Sequence, residues 1–240
     1  MNRFLLIAAS LLLTVTAFAE TSTENGIIPS QLLNTTNDGA GSDVQSLLAA
    51  SGVVVDLQAN QTANRIFVQN GASMTWNFEW ARAGLAGKHR LGWYSLEDPT
   101  TINWVLGNRD QNGTQFTTWT GSIDGLFGTV LDNGAGQLFF SDPSLNTDSA
   151  LSSSDPALNG FDRRIHVGVF NPTNTGDVML TWEDLKNQTE VGAGGLLDYN
   201  DYGHRLNGVA AVPEPGTMIA LGAGAAALLA RRKKKNAAKA

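Results

Sequence analysis

Two short acidic stretches in the last quarter of this 240-residue chain carry its most distinctive chemistry. One is Trp182-Glu183-Asp184-Leu185, the other Asp198-Tyr199-Asn200-Asp201-Tyr202, and a Gly-rich segment lies between them. With both at strand edges, a hairpin brings them together. Glu183, Asp184, Asp198, Asn200 and Asp201 then offer up to five oxygen-bearing side chains. Ca2+ takes six to eight oxygens in flexible geometry, which carboxylates and amide carbonyls supply. Converging carboxylates without a cation repel one another. A second reading is conformational, because Asp and Asn also close turns by accepting from nearby backbone amides. Both readings stay open at this level. The stretch is not an EF-hand: counted from Asp198, Tyr202 takes the fifth position and Val209 the twelfth, where a bidentate Glu belongs.

Other chemistry is thin. Asn108-Arg109-Asp110-Gln111-Asn112-Gly113 has oxygen ligands at alternate positions, but Trp119 stands at its twelfth place, and a hairpin turn at Asn112-Gly113 accounts for it. His89, His166 and His204 are scattered without zinc-site spacing, and the absence of cysteine removes thiol chemistry and disulfides. No nucleophile elbow, phosphate-cradling loop or orderable Ser/His/Asp set is present, so the chain reads as a non-enzyme. Six tryptophans raise sugar stacking as an alternative. Trp76 and Trp80 read as core, whereas Trp93 and Trp119, beside polar neighbours, are the stacking candidates of a carbohydrate-binding module for exopolysaccharide.

The elements that must position these residues are mostly strands. In Met74-Thr75-Trp76-Asn77-Phe78-Glu79-Trp80 the alternation predicts a strand with Met74, Trp76, Phe78 and Trp80 on one face. Similar short runs recur at 53–57, 65–69, 89–96, 102–106, 115–120, 126–131, 136–141, 165–170, 178–183 and 204–209, separated by Asn-Gly and Gly-rich breaks. Such punctuation favours hairpins over helical crossovers. The expectation is an all-β antiparallel sandwich or jelly roll over 53–210, preceded by a lead-in at 20–52. That lead-in holds one short helix, Ser42 to Gly52, with Ser42 as candidate N-cap and Val44, Leu47 and Leu48 on one face. The long loop 142–162 has no assignment.

Both ends read as signals. Arg3, the apolar run Phe4 to Val15 and the small residues of Ala17-Phe18-Ala19 predict a secretory signal helix, residues 1–19, cleaved before Glu20. Near the other end, Thr217 to Ala230 forms an apolar run followed by Arg231, Arg232, Lys233, Lys234 and Lys235. As a helix it reaches only ~21 Å at roughly 1.5 Å per residue, short of the ~30 Å hydrocarbon core. A short transmembrane helix whose basic end stays in the cytoplasm, with the body outside, suits a temporary hold. Between the signals, from Glu20 to Val212, nine basic residues face 21 acidic ones, a formal net charge of −12. That balance excludes a nucleic-acid partner, which requires a basic face.

Val212-Pro213-Glu214-Pro215, then the apolar helix 217–230, then the basic cluster 231–235, resembles the PEP-CTERM sorting signal of Gram-negative bacteria. The resemblance implies export, transient residence in the inner membrane, processing by an exosortase-type enzyme, and delivery to the cell surface or extracellular matrix. Trp182-Glu183-Asp184-Leu185 followed by Asp198-Tyr199-Asn200-Asp201 is similar to a C-terminal domain of unknown function found in exported bacterial proteins and some large adhesins. Leu91-Gly92-Trp93-Tyr94 and His166-Val167-Gly168-Val169-Phe170 fit that family more loosely. This second resemblance implies a β-rich surface domain stabilised by a cation, with no catalysis. Gly203-His204-Arg205 departs from the aliphatic run that usually follows the family's acidic box. The expected function is adhesion or matrix structure, with surface components or exopolysaccharide as partners and Ca2+ as the one candidate cofactor.

Overall fold

In the computed structural model the described residues are 28, 33–34, 41–82, 88–107, 118–147, 164–172, 175–184 and 198–212. The signal helix at 1–19, the apolar helix 217–230, the basic cluster 231–235 and the pattern at 108–113 lie outside them. All described residues belong to one compact unit, Ser22–Val212.

The chain order is helix α1 (Val44–Ala50), then strands β1 (Gln61–Thr62), β2 (Ile66–Gln69), β3 (Met74–Ala81), β4 (Arg90–Ser95), β5 (Asp98–Gly107) and β6 (Thr118–Gly121). β7 (Leu126–Asp132), β8 (Leu138–Phe140), β9 (Val167–Phe170), β10 (Val178–Trp182), β11 (Tyr202–Asn207) and β12 (Val209–Val212) follow. Two antiparallel sheets result. The first has strand order β1-β9-β10-β11-β3-β6 and the second β12-β2-β7-β4-β5, with β8 added beside β7.

Side chains from both sheets share one hydrophobic cluster, which makes the molecule a sandwich. Met74, Trp76, Val167, Val169, Leu180, Trp182, Tyr202 and Leu206 come from the first sheet, and Phe67, Leu91, Leu106, Phe127, Leu131 and Phe139 from the second. A separate cluster covers the outer face of the first sheet. There Val44, Leu47 and Leu48 of α1, with Ile28, Leu33, Val53, Val55 and Leu57, lie on Trp80, Phe170 and Met179. The middle of the first sheet, at β9 and β10, is therefore buried on both faces. This is why β9 and β10 are buried at every residue instead of alternating.

Several local expectations are corrected. The helix N-cap is Asp43, not Ser42: Asp43 Oδ1 accepts from Ser46 N at 2.8 Å. Residues 53–57 alternate in burial, as a strand would, but join neither sheet and instead cover the first one. The run 204–209 is divided between β11 in the first sheet and β12 in the second, at Gly208. Gly208 has φ +70°, and a Cβ there would sit 2.4 Å from Ser73 O, so only glycine fits this corner. In β3 the facing register jumps from Gly203↔Trp80 to His204↔Phe78, leaving Glu79 as the extra residue of a bulge. The bulge turns Trp80 to the outer cluster while Met74 and Trp76 stay in the inner one.

Candidate metal centre

β10 and β11 are neighbours in the middle of the first sheet, paired from Val178↔Leu206 to Trp182↔Tyr202. Glu183 and Asp184 follow directly from the end of β10, and Asp201 directly precedes β11. The pairing therefore delivers both acidic stretches to one end of the sandwich. All five candidate residues, Glu183, Asp184, Asp198, Asn200 and Asp201, are buried, at 0–8 % exposure.

The structure divides the five into two groups. Glu183, Asp184 and Asp201 each place a carboxylate oxygen so that the three lie within 4.8 Å of one another. Two oxygens on opposite sides of an ion bound at about 2.4 Å stand about 4.8 Å apart, so this spread suits a single Ca2+. Asp198 and Asn200 form an adjoining turn, in which Asp198 Oδ1 accepts from Asn200 N at 3.4 Å and Asp198 Oδ2 from Asn200 Nδ2 at 3.1 Å. The turn-forming role foreseen for the stretch is thus seen at Asp198 and Asn200, beside the three converging carboxylates.

Backbone donors orient the carboxylates. Asp184 N donates to Asp201 Oδ2 at 2.8 Å, and Asp198 N donates to Glu183 Oε2 at 3.0 Å. Glu183 N donates to His166 O, and Asp201 N to Trp182 O. Tyr199 adopts φ 58°, which a bulky residue rarely takes, and is held there by burial and by its hydroxyl donating to Ile165 O. Asn200 Oδ1 is buried and accepts no hydrogen bond among the described residues, although its own amide nitrogen is bonded to Asp198.

The electrostatics follow from the crowding. At an effective dielectric constant of about 20, two carboxylates 4.8 Å apart repel by roughly 3.5 kcal/mol. Burial above all, then the charges of Glu183, Asp184 and Asp198, push the Asp201 carboxyl well above the usual carboxylate range, against the pull of the hydrogen bond from Asp184 N. The Tyr202 phenol is pushed up by burial first, then by the Asp184 and Asp201 charges. Beyond Tyr202 lies a buried ring cluster. Its ring centroid is 4.3 Å from that of His89, and the His204 ring stands 5.8 Å from His89 and 5.9 Å from Phe78.

Three residues outside the acidic stretches hold the site and had no signal in the text. Asn133 Nδ2 donates to Asp184 O at 2.9 Å, tying the β7–β8 hairpin of the second sheet to the centre. Trp80 Nε1 donates to Asn200 O at 2.9 Å, and His166 Nδ1 lies 3.2 Å from Glu183 O. Asn133 reads in the sequence only as part of an Asp-Asn-Gly turn. The glycine at 203 has a local reason: a Cβ there would lie 2.4 Å from the Trp80 ring.

The two sugar-stacking candidates lie on different sheets, and both are half-buried against the inner core. Trp93 of β4 meets Phe127 edge-on at 6.5 Å, and Trp119 of β6 meets Trp76 edge-on at 5.7 Å. Val212, the first residue of the sorting motif, is the last residue of β12 and pairs with Ile66 of β2. Pro213, Glu214 and Pro215 lie outside the described residues.

Residues 211–234 match the PEP-CTERM protein-sorting motif. The match implies export, processing by an exosortase-type enzyme and membrane-associated sorting toward the cell surface. No curated protein and no solved structure matches the chain.

Proposed function

We propose that this chain is a non-enzymatic surface or extracellular-matrix protein whose acidic sandwich serves in adhesion or matrix structure and is stabilised by Ca2+. Glu183, Asp184 and Asp201 form the core of the cation site, with Asp198 and Asn200 completing its oxygen shell. The observation that carries the reading is the convergence of three buried carboxylate oxygens within 4.8 Å, oriented by backbone donors. A hard cation offsets their repulsion and leaves those orienting bonds intact. Burial of the acids also supports a structural role, since a buried carboxylate is poorly placed to reach a substrate. The exopolysaccharide-binding alternative draws less support, because Trp93 and Trp119 are half-buried against the inner core and belong to different sheets.

The test is a Ca2+ titration of the purified full-length protein, with Mg2+ and a chelator as controls. Free Ca2+ at 100 times Kd stabilises the fold by about 2.7 kcal/mol, equivalent to a rise in Tm of roughly 5–11 °C for a domain of this size. An unchanged Tm at millimolar Ca2+, with no heat of binding, removes the cation site.

A further inference from the structure

We propose that Asn70-Gly71, in the turn between β2 and β3, is a modification site where the chain converts spontaneously to aspartyl and isoaspartyl forms. The fold protects the other described Asn-Gly pairs from the same reaction. Six such pairs stand in the sequence, and three of them, at Asn70, Asn133 and Asn207, lie among the described residues.

The reaction needs no enzyme and no co-reactant except water. The Gly71 backbone nitrogen attacks the Asn70 side-chain carbonyl carbon, Cγ. A C–N bond forms, the Cγ–Nδ2 bond breaks and ammonia leaves, giving a cyclic succinimide. Water then opens the ring. Cleavage at Cγ leaves an ordinary aspartyl residue, and cleavage at the main-chain carbonyl leaves an isoaspartyl linkage that runs through Cγ. Either way an amide becomes a carboxylate, and no electron changes hands. Glycine favours the step because it has no side chain to obstruct the approach and its backbone turns freely. Two conditions remain: the carboxamide must be free to swing toward the next nitrogen, and that nitrogen must be free of a hydrogen bond.

Asn70 meets both. The whole turn, Asn70, Gly71, Ala72 and Ser73, is exposed. Among the described residues the Asn70 carboxamide makes no hydrogen bond, and the Gly71 N–H donates none. The bonds of the turn run through other atoms, since Asn70 N donates to Gly208 O at 2.7 Å and Gln69 Nε2 to Gly71 O at 2.8 Å. Space is also open at the glycine, where a Cβ would meet only Ser73 O, at 3.8 Å.

Asn133 meets neither condition. It is fully buried, its Nδ2 donates to Gln137 Oε1 and Asp184 O, and its Oδ1 accepts from Ala135 N and Gln137 N. Gly134 N, the would-be nucleophile, donates to Asp132 Oδ1 at 2.7 Å. Asn207 is half-buried and clamped at both ends of its carboxamide, with Nδ2 donating to Asp177 Oδ1 and Oδ1 accepting from Asn77 Nδ2. For these two, conversion waits on a local opening that first breaks those bonds. At Asn70 it adds a negative charge to an already acidic body. The isoaspartyl form also adds one carbon to the backbone where the chain crosses from the second sheet to the first.

The experiment incubates the full-length protein in warm, mildly alkaline buffer, once folded and once in denaturant. Samples are digested at mildly acidic pH, where the reaction stalls, and mapped over time by mass spectrometry, with fragmentation identifying isoaspartyl linkages. In denaturant all three pairs are expected to convert. In the folded protein Asn70 should keep most of its denatured rate, while Asn133 and Asn207 each slow at least about tenfold against their own. An Asn70 that slows as much as the other two, or an Asn133 or Asn207 that converts as fast folded as denatured, would overturn the proposal.

Discussion

Replacing His204 by leucine should abolish an acid-labile component of stability. His204 lies on β11 with its ring fully buried, and neither ring nitrogen has a hydrogen-bond partner among the described residues. The rings beside it are those of Phe78 on β3 and His89 ahead of β4, and His89 packs in turn on Tyr202. Burial first, then the proximity of His89, pushes its pKa well below the ordinary 6.5. The folded state therefore holds a neutral imidazole, while the unfolded chain takes up a proton near pH 6.5. The stability contributed is complete above that pH and is lost as pH falls below it, at about 1.4 kcal/mol per pH unit. Between pH 7.5 and 5.5 the loss comes to about 1.4 kcal/mol, or roughly 3–6 °C in Tm. Asp201 contributes with the opposite sign in the absence of cation, since its raised carboxyl favours the folded state at low pH. Thermal melts of wild type and His204→Leu should therefore be recorded side by side at saturating Ca2+, from pH 5.5 to 7.5. Lost ring packing shifts the variant by a constant offset, whereas the lost titration changes the slope. Parallel slopes for the two proteins would refute the reasoning.

Three further outcomes follow from particular residues. Gly208→Ala combines a left-handed φ with a Cβ 2.4 Å from Ser73 O, so it should cost about 2 kcal/mol or more in denaturant unfolding; a loss below ~0.5 kcal/mol would mean the corner relaxes freely. Asp43→Ala removes the side-chain acceptor for Ser46 N and should cost about 1 kcal/mol, seen as a 2–4 °C lower Tm. Alanine at Pro213, Glu214 and Pro215 together should block processing, so intact-mass spectra would show Arg231 to Ala240 retained in the membrane fraction. Wild type is expected to lack that tail at the surface, and equal tail content in the two would sever the motif from processing.

Period-two alternation marked β3, and the Gly and Asn breaks marked hairpins, because both signals are local consequences of strand geometry and turn backbone. The same holds for Val44, Leu47 and Leu48 on one face of α1. What lay beyond reach depended on partners distant in sequence. Nothing around Glu79 announces a bulge, since its cause is the register against Gly203 and the room that glycine leaves for the Trp80 ring. Residues 53–57 alternate like a strand because one side faces apolar surface, but alternation reports a buried face and not a ladder partner.

The acidic centre shows where that division falls. By itself the sequence determined the sorting motif, the all-β class and the identity of the acids, since each rests on residue type and short spacing. Tertiary structure alone decided that Glu183, Asp184 and Asp201 converge while Asp198 and Asn200 form a turn beside them. It also decided that Asn133, Trp80 and His166 hold them from three other strands or loops. Convergence depends on the register of β10 against β11 and on burial of the middle of the first sheet from both sides. Those are sums over long-range contacts, which no local pattern of residues encodes.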